Sequence, residues 1–91
     1  MSEVVNNEAG RRFEITVGGH TGFLQYAKAG DRINLLHTEV PKELGGRGLG
    51  NVLAKAALDY ARDAHLSVIP TCPFVKKFIE RNPEYAPLVA V

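Results

Sequence analysis

The chain has 91 residues, of which 45% are hydrophobic and 23% charged, and eleven basic against ten acidic side chains leave a formal net charge of +1. This size and composition are typical of one small globular domain, which we place at residues 4–91. A near-neutral chain lacks the concentrated positive charge with which proteins bind nucleic acids or anionic membranes, so we expect neither partner. We expect a monomer or a weak dimer.

The cysteine content bears on the compartment. Cys72 is the single cysteine, which excludes an internal disulfide and favours a reducing, cytoplasmic location. The first ten residues, MSEVVNNEAG, carry acids and amides where a secretory signal peptide has basic and apolar regions. No apolar run approaches the ~18 residues of a transmembrane helix.

The first half of the chain predicts three antiparallel strands joined by short turns. Alternating apolar residues and glycine-containing turns indicate their limits. The predicted strands are Arg11–Val17, Thr21–Lys28 and Arg32–Val40. Strict alternation along the third strand predicts that four side chains share one face: Ile33, Leu35, His37 and Glu39.

The second half predicts two helices separated by one strand. Apolar residues three and four apart indicate a helix from Leu49 to about Ala64 and another over Phe74–Arg81, whereas His65–Pro70 is typical of a short buried strand. An antiparallel β-β-β meander followed by α-β-α predicts an α+β fold, with helices packed on a central mixed sheet. We expect all four phenylalanines in the core: Phe13, Phe23, Phe74 and Phe78.

The segment VPKELGGRGLG places four glycines, from Gly45 to Gly50, directly before the first predicted helix. The free N–H groups and the dipole of a helix N-terminus attract anions, phosphate above all, and Arg47 adds a charged donor. A Walker loop is excluded because Asn51 and Val52 stand where that motif has Lys and Ser or Thr. The dinucleotide motif G-x-G-x-x-G fails because Leu53 replaces its third glycine.

This segment resembles the coenzyme A-binding motif of the GNAT N-acetyltransferase superfamily, Gln/Arg-x-x-Gly-x-Gly/Ala. Gly48 and Gly50 match the last two motif positions, while Gly45 stands at the Gln/Arg position. With HTEVP before the loop and IPTCPFVKKFIERNPEY after the helix, the chain is similar to the minimal, single-domain branch of the superfamily from about Arg11 to Leu88. The resemblance implies a truncated acetyltransferase fold and acetyl-CoA-dependent transfer of an acetyl group to an unidentified amine.

The resemblance also implies where coenzyme A binds. Backbone N–H groups of the loop would hold the pyrophosphate, the end of the third strand would lie beside the pantetheine arm, and Ser67–Pro70 would form the opposite wall. The residues implied to contact the cofactor are Thr38, Val40, Gly45, Gly46, Arg47, Gly48, Leu49 and Gly50.

Acetyl transfer to an amine needs a base for the amine proton and an acid for the leaving thiolate. Cys72 lies just before a predicted helix N-terminus, where a thiol acts as nucleophile or proton donor; the alternative is a small buried hydrophobe. His37 and Glu39 are candidate bases, against the alternatives of a core histidine and a solvated carboxylate. No ligand spacing indicates a metal site.

Two other functions fit the same residues. A non-catalytic acyl-CoA-binding or sensing module fits because the chain lacks the length with which larger acetyltransferases shape the acceptor site. A protein-interaction module with a vestigial loop would tolerate a bulky residue at Gly48. The near-neutral charge does not specify the acceptor amine.

Overall fold

Five β-strands and two α-helices make up the part of the chain that the computed structural model describes, residues 3–90. The predicted domain ends at Val91, which lies outside the described residues together with Met1 and Ser2. The elements are β1 (Val5–Asn7), β2 (Arg12–Val17), β3 (His20–Ala29), β4 (Arg32–Glu39), α1 (Leu49–Asp63), β5 (Ser67–Ile69) and α2 (Pro73–Arg81). Two 3-10 segments complete them, Lys42–Leu44 and Pro83–Leu88.

The strands form one mixed sheet in chain order, β1-β2-β3-β4-β5. Neighbours are antiparallel up to β4, and β5 lies parallel to β4 because α1 carries the chain back across the sheet. The predicted α+β fold, with an antiparallel meander followed by α-β-α, is confirmed. The sheet has one strand more than predicted, since β1 is too short, at three residues, to show an alternating pattern.

The core lies between the sheet and the two helices, and α1 supplies most of its helical residues. The helix buries Leu53, Ala54, Ala57, Leu58 and Ala61. Three alanines in that stripe let the helix backbone approach the sheet closely, and each fully buried leucine contributes about 1.5–3 kcal/mol. Val52 belongs to the same apolar pattern but is 42% exposed. No helix within residues 3–90 has the length and apolarity to cross a membrane.

A β-bulge in β4 decides which side chains face the helices. Tyr26 of β3 pairs with Leu35, but Gln25 pairs with His37, so Leu36 is an extra residue on β4. Cross-strand partners share a face, and one extra residue exchanges the faces of everything beyond it. Thr38, paired with the buried Leu24, therefore joins the inner face. The prediction that His37 and Glu39 share a face with Ile33 and Leu35 is wrong.

Candidate functional site

A cleft of about 350 Å³ lies between the end of β4, the glycine loop and the first turns of α1 and α2. Its volume is within the ~300–1,000 Å³ of typical ligand pockets. It is lined by Thr38, Val40, Leu44, Gly45, Gly46, Gly48, Leu49, Gly50, Asn51 and Phe74. Every residue that the sequence implied for coenzyme A, except Arg47, lines this cleft.

The glycine loop is anchored on its first side and open on its second. Leu44 is 2% exposed, and its N–H donates to the Pro41 carbonyl at 2.9 Å. Gly46 and Gly48 follow with φ of 80° and 69°, the left-handed region that favours glycine. A Cβ built on either glycine meets no atom within 4 Å. The backbone at these two positions is thus open to a bulky ligand.

The N-terminus of α1 borders this open backbone. Gly48 occupies the N-cap, and since it has no side chain, no side-chain hydrogen bond caps the helix. The first turn contains no acidic residue. The first N–H groups of a helix have no intrahelical partner, and the helix dipole adds partial positive charge there. The loop and helix together form a site suited to an anionic group such as a phosphate.

Gly50 differs from the other glycines because an aromatic ring occupies the space beside it. A Cβ on Gly50 would lie 2.8 Å from Cζ of Phe74. Phe74, predicted to lie in the core, is instead 41% exposed and forms a wall of the cleft. Phe74 sits there because α2 begins at Pro73 beside the first turn of α1, and glycine lets the two helices approach. Of the four phenylalanines, Phe13 is the one buried in the core.

Cys72 lies behind the cleft wall. The side chain is 3% exposed, and its backbone N–H donates to the Leu35 carbonyl at 2.8 Å. Cys72 does not line the cleft, but Thr38 does, and Thr38 Oγ1 lies 3.5 Å from Cys72 Sγ. Either group is able to donate in this hydrogen bond. The hydroxyl group of Thr38 therefore lies between the thiol and the cleft.

The surroundings of the sulfur favour its ionised form. Burial raises the pKa of the Cys72 thiol, whereas the hydrogen bond with Thr38 lowers it. Backbone N–H groups of Val75, Phe74 and Thr38 lower the pKa further, and the net direction is downward. Cys72 is the N-cap of α2, but its sulfur makes no capping hydrogen bond. The N–H groups of the first turn act on the sulfur as nearby partial positive charges.

His37 and Glu39 lie together on the outer face of β4, as the bulge requires. His37 Nε2 is 3.7 Å from Glu39 Oε2, and the two side chains are 60% and 64% exposed. Neither residue lines the cleft. They share a face, as the alternation predicts, but they do not enter the cleft together, and their role as base stays a prediction.

The edge of β4 near these residues is left free by β5. The two strands pair only from Arg32–Ser67 to Asn34–Ile69. After β5 the chain leaves the sheet and turns toward α2. Within residues 3–90, the end of β4 therefore has no strand beside it on that edge, which is open to side chains on both faces of the strand. Ser67–Pro70, expected as the opposite wall, contributes no lining residue; Phe74 takes that place.

Three lining residues escaped the sequence prediction: Leu44, Asn51 and Phe74. Leu44 carried a usable signal, because an isolated apolar residue in a polar loop is often an anchor. Phe74 carried none, since its apolar side chain fits a core position equally well. Within the described residues, no three His, Cys, Asp or Glu side chains are grouped to hold a metal ion.

Comparison with known proteins agrees with this geometry. Residues 12–88 match the family model described as GCN5-related N-acetyl-transferase. Protein NATD1 from Bos taurus is 41% identical over 76 residues, which cover 80% of this chain and 67% of the relative. Protein NATD1 from Gallus gallus is 37% identical over 84 residues, covering 89% and 76%. An NMR structure of a GCN5-like protein from Staphylococcus aureus matches with a TM-score of 0.74 and 30% identity, over 97% of this chain and 87% of that one.

Proposed function

The chain belongs to the GCN5-related N-acetyltransferase family, and we propose that it transfers an acetyl group from acetyl-CoA to an amine. The observation that carries the proposal is the open backbone at Gly46 and Gly48 beside the uncapped start of α1. These features lie in the cleft that also contains Thr38. The same cleft thus contains a site for an anion and the hydroxyl group of Thr38, which contacts the thiol of Cys72.

The residues present fit coenzyme A. The N–H groups at the start of α1 would attract the negatively charged pyrophosphate. The first turn of α1 contains no carboxylate that would repel it. The side chains of Val40, Leu49 and Phe74 give the cleft apolar walls for the pantetheine arm. When bound, acetyl-CoA supplies the activated acetyl thioester. The rest of the chemistry is orientation and proton transfer by the chain's own residues.

We assign removal of the amine proton to the outer face of β4. The amine approaches along the unpaired edge of that strand, where His37 and Glu39 lie within 3.7 Å of each other. A carboxylate beside an imidazole accepts a proton directly or through one water molecule. Because both groups are more than half exposed, they return the proton to solvent readily.

We assign the proton for the leaving thiolate to Cys72. A thiol whose pKa is lowered is a better proton donor, and its anion is a weaker nucleophile. Cys72 is only 3% exposed and does not line the cleft, so its sulfur is linked to the cleft through the hydroxyl group of Thr38. The proton-donor role therefore suits this position better than the nucleophile role.

A second candidate is a non-catalytic acyl-CoA-binding or sensing module. The observation that favours it is that Cys72, His37 and Glu39 all lie outside the cleft lining. Release of free coenzyme A from acetyl-CoA, followed with and without a panel of amines, separates the two functions. Stimulation by any amine supports the transferase, whereas binding without stimulation supports the sensor.

Isothermal calorimetry with coenzyme A and acetyl-CoA tests the shared premise of both functions. We expect saturable binding of both compounds. The absence of saturable binding at millimolar ligand would contradict the transferase and the sensor together.

The role of Cys72 has its own test. We expect Cys72→Ser to lower turnover while leaving coenzyme A binding intact, and we expect mass spectrometry of wild-type protein during turnover to detect no acetylated Cys72. Unchanged turnover in Cys72→Ser removes the thiol from catalysis. An acetylated cysteine that forms and decays at the turnover rate would assign it as the nucleophile.

We also propose a cytoplasmic location and a monomeric or weakly dimeric state. A reducing compartment keeps the single thiol, Cys72, free. Fractionation of cells that produce the protein and sedimentation of the purified chain test these two statements.

A further inference from the structure

Thr38 is the side chain that touches both the cleft and the buried thiol. It lines the cleft, whereas Cys72 does not. Its hydroxyl oxygen lies 3.5 Å from the Cys72 sulfur, within hydrogen-bond distance for sulfur. A hydroxyl group both donates and accepts, so it is able to pass a proton between the groups on its two sides.

The bulge at Leu36 is what brings Thr38 to this position. Without the extra residue, the alternation of β4 would turn the Thr38 side chain to the outer face. With it, Thr38 lies opposite Leu24 on the inner face, and Cys72 is held there by its N–H bond to Leu35. β-Bulges often redirect a side chain beside a functional site.

The contact has no evident packing purpose. A valine would keep the β-branched shape of threonine but not its hydroxyl group, so it would leave the sulfur without this partner. The other groups that act most strongly on the sulfur are backbone N–H groups, which only donate. Thr38 is thus the neighbour that can also accept a proton from the thiol.

We propose that Thr38 relays a proton from Cys72 to the leaving sulfur of coenzyme A, an assignment that rests on the proposed acetyltransferase function. With acetyl-CoA bound, the acetyl carbon would bond to the amine nitrogen as the carbon–sulfur bond breaks and leaves its electron pair on sulfur, and Thr38 would give its hydroxyl proton to that sulfur. The Thr38 oxygen takes the thiol proton of Cys72 in the same movement. Cys72 is left as a thiolate, held by the Thr38 O–H and the start of α2, and regains its proton from solvent.

The first test needs no bound cofactor. Cys72 is the single cysteine, so the ultraviolet absorbance of its thiolate, with Cys72→Ser protein as the blank, reports one group. We expect Thr38→Val to move the midpoint of this titration upward and Thr38→Ser to restore it. Thr71→Val is the matched control, because Thr71 adjoins Cys72 in the chain but donates its hydroxyl proton to Asn34. A Thr38→Val protein that titrates like wild type overturns the contact and the relay.

The second test measures turnover in the same variants. We expect Thr38→Val to lower kcat about 100-fold, the lower end of general acid catalysis, with coenzyme A binding retained. Thr38→Ser recovers most of the rate, and Thr38→Val combined with Cys72→Ala is no slower than either single variant, because both remove one relay. Multiplied effects in the double variant overturn the relay.

The outcomes also separate the relay from the function on which it depends. Turnover in wild type that survives Thr38→Val overturns the relay alone and leaves the transferase function intact. Absence of turnover in wild type, with any amine, overturns the transferase function. Thermal unfolding of Thr38→Val and Thr71→Val is measured as a control. Equal unfolding midpoints show that a lower rate in Thr38→Val does not come from loss of folded protein.

Discussion

The two ends of α1 are built in opposite ways. At its start, Gly48 leaves the helix uncapped, and the first turn faces an open cleft. At its end, the His65 N–H donates to the Arg62 carbonyl at 3.2 Å and the Leu66 N–H donates to the Ala61 carbonyl at 2.8 Å, with His65 in the left-handed conformation. This end has the hydrogen bonds of a Schellman motif, without its usual glycine.

Side chains beyond the first turn of α1 repeat the contrast. The Tyr85 hydroxyl donates to Asp59 at 2.7 Å, and the Lys55 ammonium donates to the same carboxylate at 2.9 Å. We call these three residues the α1 clasp, which ties the segment Pro83–Leu88 to the helix. The comparison teaches that the fold satisfies its polar groups where stability is the only demand. It leaves them free where a ligand would bind.

The largest expected effect is at the packed stripe of α1. Leu58→Ala removes a side chain that is 0% exposed and should cost about 2–5 kcal/mol of unfolding free energy, from lost burial and the cavity left behind. Urea denaturation measures the loss, and coenzyme A affinity of the folded fraction should stay unchanged. Val52→Ala, on the same helix but 42% exposed, should cost less than about 1 kcal/mol. Equal costs would show that the buried stripe is misassigned.

The next effect is at the α1 clasp. Asp59→Asn replaces a charged acceptor by an amide and should cost about 1–3 kcal/mol at neutral pH. Asp63→Asn is the control, since Asp63 is 75% exposed and pairs only with Arg62 within the described residues. It should change the unfolding free energy by less than about 0.5 kcal/mol. A loss in Asp63→Asn as large as in Asp59→Asn would mean that the clasp is not specific.

The pH dependence of the clasp has a definite sign. Burial raises the pKa of Asp59, but hydrogen bonds from Tyr85 and Lys55 lower it by more, and the net direction is downward. The unfolded chain therefore binds more protons, and the contribution is fully present above the ordinary carboxyl value of about 3.9. It is lost as the pH falls through the lower folded value. The stability difference between wild type and Asp59→Asn should shrink over that acid range; a difference that grows would contradict the assignment.

A smaller loss of stability, joined to a loss of binding, is expected at the open end. Gly48→Ala forces a side chain into φ of 69° and should cost about 1–2 kcal/mol. It should also weaken coenzyme A binding, because the Cβ projects into the open space of the loop. Gly18→Ala, at φ of 57° in the turn between β2 and β3 and equally uncrowded, is the matched control. It should cost similar stability but leave calorimetric affinity unchanged; an equal loss of affinity would refute the site.

The smallest effect is at Gly50. Alanine there gains about 0.5–1 kcal/mol of helix stability but pushes against the tip of the Phe74 ring. We expect these terms nearly to cancel in wild type. In a Phe74→Ala background, where the ring is gone, Gly50→Ala should stabilise by about 0.5–1 kcal/mol. Equal effects of Gly50→Ala in both backgrounds, measured by thermal unfolding, would show that the ring contact carries no energy.

Periodic features of the sequence predicted most of the fold. The spacing of leucines and alanines between Leu49 and Asp63 identified α1 almost to the residue. Turn residues separated β2, β3 and β4, and proline after Ile69 marked the end of β5. A repeated local pattern predicts an element well because each repeat indicates the same secondary structure.

Features that depend on one residue or on a distant partner were not predictable. Nothing in the alternation of RINLLHTEV marks Leu36 as an extra residue, yet the bulge moves Thr38 inward and His37 outward. Gly50 and Phe74 are 24 positions apart in the chain, and their contact depends on how α1 packs against α2. Local sequence patterns therefore do not predict it. The loop glycines were found because their chemistry is local, whereas the Thr38–Cys72 contact required the three-dimensional fold.

The most direct test of the open and closed ends of α1 is an amide NMR titration with coenzyme A. We expect saturable shifts at the N–H groups of residues 46–51, with little change at Asp59, Arg62 and Tyr85. Shifts centred on the clasp, or a loop that stays unshifted at millimolar coenzyme A, would contradict the claim that the free start of α1 is the cofactor site.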